Sequence, residues 1–93
     1  MGKRTTGDKK HRLNRLIRDF GERLKSARVM AGYKSASDFA KDLGIEYARY
    51  TKNERGQSIP RIDVLADITK LTDTSLDFLL LGKSDRNPSR KSE

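Results

Sequence analysis

Apolar positions recur along this chain at helical intervals, with no strand-like alternation and no internal repeat. From Leu13 they fall at Leu16, Ile17, Phe20, Leu24 and Ala27, offsets of 3, 4, 7, 11 and 14 that line one face of a helix. Gly21 interrupts the stripe at a cost of ~1 kcal/mol relative to alanine, which leaves open one long helix or two segments meeting near Phe20. The stripe ends at Gly32. Ser35-Ala36-Ser37-Asp38 then reads as a capping box, Ser35 capping and Asp38 returning the bond. Phe39, Ala40 and Leu43 give the second helix its apolar face, and the run stops at Gly44. After Ile45 a short third helix is predicted from Glu46 to Glu54, with Tyr50 inward and Gly56 closing it. Pro60 suits the opening of a fourth helix. Its inward stripe is Ile62, Leu65, Ala66 and Ile68, with Asp63, Asp67 and Lys70 outward. Ser75 caps a last short helix carrying Leu76, Leu79 and Leu80, which ends at Gly82.

The two ends of the chain read differently. Residues 1–12 are polar and basic and are expected to form a flexible arm. Residues 83–93 hold no large apolar side chain, contain Pro88, and are expected to be disordered. One all-α domain over 13–82 remains.

Composition narrows what that domain does. With 33% apolar residues among 93, the core is modest and helix packing or dimerisation must supply stability. The lack of cysteine excludes disulfides and thiolate metal sites, and the single histidine, His11, has no nearby partner, so no cofactor is expected. The longest run of large apolar residues, Leu79-Leu80-Leu81 with Phe78 before it, falls far short of the ~20 residues of a membrane span. There is also no apolar signal segment, and a cytoplasmic location is expected. Asp63 and Asp67 share a helix face but lie on its wet side, and no glycine loop cradles a phosphate. The expectation is a protein that is not an enzyme.

Net charge is +8, and residues 1–34 carry 11 Lys/Arg against 3 Asp/Glu while residues 35–56 balance at 4 against 4. A polyanionic partner fits the total, because Lys and Arg that displace phosphate counterions supply most non-specific affinity for nucleic acid.

The informative stretch is SASDFAKDLGIEYARYTKNERG, residues 35–56. Two short helices meet at Gly44, with small Ala40 where they cross and Ile45 and Tyr50 pinning the second to the core. The second helix keeps its other face free for a major groove. Here the chain resembles the Cro and phage-repressor type of helix-turn-helix, also called the xenobiotic-response-element family. The resemblance runs from about Phe20 to Gly82. It rests on Arg28 and Gly32, on Ser35…Phe39-Ala40…Leu43-Gly44-Ile45, on Tyr50…Glu54-Arg55-Gly56…Pro60, and on Ser75-Leu76-Asp77-Phe78-Leu79-Leu80.

That resemblance implies a five-helix, lambda-repressor-like bundle whose second and third helices, at about 35–55, bind DNA. Carried over by position, it implies a recognition helix starting near Glu46 with Tyr47, Ala48, Arg49 and Lys52 facing the groove. The amides of Ala36, Ser37 and Asp38 would face a phosphate, and Arg55, Gln57 and Arg61 would flank the backbone. Arg49 and Lys52 suit guanine edges or phosphates, and Glu46 can accept from cytosine N4. Glu54 is expected to pair with Arg28. The chain departs from the family in having Ala36 where glutamine is usual and Asn53 where an apolar residue is usual. Glu46 also brings a negative charge near the duplex.

The expected activity is sequence-specific binding of an operator duplex by a dimeric transcriptional regulator acting as a repressor. The rival reading is an antiactivator of the same fold that sequesters a transcriptional activator; an antitoxin that represses its own operon is a third. A protein partner would use Leu13, Leu16 and Ile17, which either extend the first helix into the core or offer an exposed edge, or the helix near Leu79.

Overall fold

In the computed structural model, which describes residues 6–83, the chain forms five helices and no strand. They are α1 (Thr6–Met30), α2 (Ala36–Leu43), α3 (Tyr47–Glu54), α4 (Ile62–Thr72) and α5 (Leu76–Leu81). Five helices in this order are the architecture the resemblance implied.

The core takes one stripe from each helix. Phe20, Leu24 and Ala27 of α1 meet Phe39, Ala40 and Leu43 of α2, Tyr50 of α3, Ile68 of α4 and Leu79 of α5. The Phe39 ring stands edge-on to Tyr33 at 4.7 Å and to Tyr50 at 5.4 Å between centroids, an arrangement favoured by ring quadrupoles. No helix among the described residues is long and apolar enough to cross a membrane.

Helix α1 differs from expectation at its start. It is one continuous helix of 25 residues, about 37 Å long at 1.5 Å per residue, and it already includes residues 6–12. Those residues were read as part of a flexible arm; the rest of that arm, residues 1–5, lies outside the described residues, as does the tail from 84 to 93. Elongating an existing helix adds one backbone hydrogen bond per residue, and Lys9, Lys10 and Arg12 are good helix formers with no proline among them. The helix therefore outruns its core. Leu13 and Leu16 are exposed and Ile17 is half-buried, so the stripe before Phe20 is an edge rather than core.

Gly21 does not break α1. A β-carbon there would lie 2.5 Å from the Glu54 carbonyl oxygen and 2.7 Å from that of Asn53. One turn away, a β-carbon on Gly56 would lie 2.6 Å from Arg18 Cα. The two glycines let the C-terminal end of α3 sit directly on the backbone of α1.

Helix α4 starts at Ile62 with Arg61 as N-cap, two residues after Pro60, which is buried. Its inward stripe is Val64, Leu65, Ile68 and Thr72 rather than the one beginning at Ile62. Ile62 is 82% exposed and Ala66 is exposed as well. With the helix starting two residues after Pro60, Ile62 falls on its first, solvent-facing turn. Asp63, Asp67 and Lys70 face outward as expected. In α5, Leu79 is buried and Leu80 half-buried, while Leu81 points away and is 56% exposed.

Candidate nucleic-acid interface

Local sequence sets the turn between α2 and α3. Ser35 Oγ accepts from the Asp38 amide at 3.2 Å, so the first half of the capping box forms. The return bond from Asp38 is not made among the described residues. The amide of Asp38 is thereby occupied, while those of Ala36 and Ser37, in the first turn of the helix, have no partner among the described residues. At the other end Gly44 adopts φ 76°, and its amide reaches the Ala40 and Lys41 carbonyls. The Ile45 amide also bonds Ala40 at 3.1 Å. That left-handed residue turns the chain sharply enough for α3 to leave across α2 at the buried Ala40.

Helix α3 is held from behind by a polar network. Arg28, only 5% exposed, donates from Nε to Glu54 Oε2 at 2.6 Å and from Nη1 to the Tyr33 carbonyl at 2.6 Å. The Tyr50 hydroxyl donates to the same Glu54 oxygen. The Arg28–Glu54 pair expected from the resemblance thus exists. A buried pair of this kind is costly to break on one side, about 3–5 kcal/mol, because the surviving charge is stranded. Burial first, and the bond to the Glu54 carboxylate second, raise the Tyr50 phenol above its ordinary range, so it stays neutral.

With Tyr50 and Asn53 turned inward, the rest of the α3 surface is open. Glu46, Tyr47, Ala48, Arg49 and Lys52 are all exposed, as are Ser37 on α2 and Arg55, Gln57 and Arg61 beyond α3. Every residue put forward for the interface is therefore accessible, and α3 brings five of them onto one helix and its cap. Arg61 forms a surface pair with Asp63 at 3.2 Å. Glu46 is the N-cap of α3 and makes no side-chain cap bond. Its carboxylate lies at the positive end of the helix, where a negative charge is favourable.

Asn53 occupies the position where the family usually has an apolar residue, and it is buried there although polar. It is 2% exposed, and its Nδ2 donates to the Ser58 carbonyl at 3.1 Å and to Ser58 Oγ at 3.0 Å. Its place three residues after Tyr50, on the same helical face, was the signal that could have found it.

The helix-turn-helix family model matches residues 24–79, more than half of the chain, and so covers α2, the turn and α3 entirely. The chain belongs to the Cro-type helix-turn-helix family.

Two relatives are similar over this helix-turn-helix region. One is an SPbeta prophage-derived uncharacterized HTH-type transcriptional regulator, YonR, of Bacillus subtilis (strain 168), 41% identical over 63 residues. The alignment spans 68% of this chain and 57% of that protein, under two thirds of its length. The other is the plasmid copy control protein CopR of Streptococcus agalactiae, 33% identical over 64 residues, which are 69% of this chain and 70% of that protein. No solved structure matches the chain significantly.

Proposed function

We propose that this protein is a transcriptional regulator that places α3 in the major groove of an operator and acts as a repressor, bound as a dimer. The observation that carries the reading is the two-sidedness of α3. Tyr50, Asn53 and Glu54 fasten the helix to α1 and the core, while Tyr47, Arg49 and Lys52 are exposed around the rest of its surface. A helix fixed from behind and bare in front is what direct reading of base edges requires.

Arg49 is the main base-reading residue in this proposal, with Lys52 beside it and Tyr47 against a phosphate or a thymine methyl. The free amides of Ala36 and Ser37 meet one phosphate strand, and Arg55, Gln57 and Arg61 meet the other. Glu46 accepts from a cytosine amino group at the groove edge. The two relatives, one named a transcriptional regulator and the other a plasmid copy control protein, support regulation of transcription as the setting. Dimerisation would align two copies of α3 with half-sites about one turn, ~34 Å, apart.

An electrophoretic shift with DNA from upstream of the protein's own gene tests the reading. Arg49→Ala and Lys52→Ala should weaken binding to that DNA by roughly 5- to 150-fold each, the span of one to three kcal/mol for a lost base contact. Binding to scrambled duplex should change much less. Equal affinity of the wild-type protein for both duplexes at moderate salt would overturn it.

The rival reading, an antiactivator that sequesters an activator, is favoured by one observation. The described residues 9–18 of α1 carry five Lys/Arg and no Asp/Glu, beside the exposed Leu13 and Leu16. Co-purification of an activator together with no shift of any promoter fragment would favour it.

A further inference from the structure

We propose that Asn53 is a positioning residue for DNA binding: from inside the protein it ties the α3–α4 loop to the recognition helix and so sets where Arg61 meets the phosphate backbone. This rests on the DNA reading above and concerns a residue that no base or phosphate would touch.

The loop from Arg55 to Arg61 leaves α3 under close control. The Gly56 amide bonds the Asn53 carbonyl at 3.3 Å and the Gln57 amide bonds that of Lys52 at 2.9 Å. Control resumes at Arg61, whose carbonyl accepts from the Leu65 amide at 2.9 Å in the first turn of α4. Between those points, among the described residues, the hydrogen-bonded tie on the loop is the Asn53 side chain, which holds both the carbonyl and the hydroxyl of Ser58. Asn53 and Ser58 line the same shallow pocket as Arg49 and Arg61, between α3 and α4. One side chain therefore joins the helix that carries Arg49 to the segment that delivers Arg61.

The chemistry of Asn53 argues against a purely stabilising role. Among the described residues its Oδ1 is buried without a hydrogen-bond partner, an arrangement that lowers stability and offsets part of what the two bonds to Ser58 contribute. The polar residue is explained by what its Nδ2 holds. Arg61 itself is exposed, makes no cap bond with its side chain and contributes only a surface ion pair, so its replacement should leave the fold intact.

The test is a double-mutant cycle on the full chain with Asn53→Leu, Arg61→Ala and the two combined. Binding is measured to a duplex of roughly 30 base pairs, about three turns, from upstream of the gene and across a salt series. Arg61→Ala should lower the slope of log affinity against log salt by about 1, the loss of one phosphate contact. Asn53→Leu should lower it by the same amount without lowering the thermal midpoint, and the double variant should add nothing further. Additive effects, a wild-type slope in Asn53→Leu, or weaker binding that merely tracks a lower midpoint would each overturn the proposal.

A second measurement needs no DNA. Backbone order parameters of residues 58–61 should fall in Asn53→Leu from the rigid range of about 0.85 toward about 0.6, with α3 unchanged. An equally ordered loop would overturn the tether. If that loop loosens but the wild-type protein shows no salt-dependent binding, the DNA reading fails and takes the Arg61 step with it, while the tether stands.

Discussion

Tyr50 anchors the third helix through two different forces. Its ring fills the core against Phe39, and its hydroxyl meets the carboxylate that also holds Arg28. The pH dependence follows from the raised phenol pKa. A group whose folded pKa lies above its unfolded value, about 10 for tyrosine, contributes stability that is complete below pH ~10 and is lost as pH rises past it. Urea-unfolding stability should therefore fall above pH ~10, and Tyr50→Phe should flatten that fall. An identical slope in both proteins would show that the buried phenol titrates as it does in the unfolded chain. Tyr50 was legible in the sequence as the inward apolar residue of a short helix, and the Arg28–Glu54 pair only through the family resemblance. Asn53 stood out only as a polar residue at a position the family usually fills with an apolar one; its bonds to Ser58 depend on a loop that folds back over it and leaves no local signal.

At the scale of elements, the docking of α1 on α3 turns on Gly21. Helix propensity alone makes Gly21→Ala stabilising by about 1 kcal/mol. The structure reverses the sign, since the new methyl would meet backbone oxygens of Glu54 and Asn53 that cannot move without shifting α3. The expected result is a net loss of roughly 1–3 kcal/mol by denaturant titration, in the range of overpacked cores; a gain would mean that the two helices are not in this contact. The sequence announced Gly21 as an interruption and could not announce the close approach, which depends on a partner 33 positions away. Local signals fared better where the chemistry was local. The Ser35 and Ser75 caps and the left-handed Gly44 lie where sequence placed them. The fourth helix lies where the sequence predicts it but is rotated, because a helix opening at Pro60 would turn Ile62 inward while the chain enters helix only at Ile62.

For the whole molecule, charge and shape divide the labour. The helix-turn-helix is balanced in charge, yet its exposed face gathers Arg49, Lys52, Arg55 and Arg61 and leaves Glu54 inside the fold. The larger positive excess sits on α1, whose residues 9–18 would add non-specific attraction for a duplex without reading it. Ile62, Leu76 and Leu81 are exposed apolar side chains that a dimer contact, if the proposed dimer forms, would have available. None of these faces was visible as a face in the sequence, since each is assembled from separate helices. What the sequence did carry was the alternation of held and free positions along residues 46–55, and the proposed function depends on it.

The most direct test of that dependence is an amide chemical-shift titration of the protein with operator duplex, followed residue by residue. The amides of Ala36, Ser37, residues 46–49, Lys52, Arg55, Gln57 and Arg61 should shift together and saturate, while those on the far side of the bundle, around Met30 and Leu71, stay in place. Shifts confined to residues 9–18 of α1, with residues 46–52 unmoved at saturating duplex, would contradict the account.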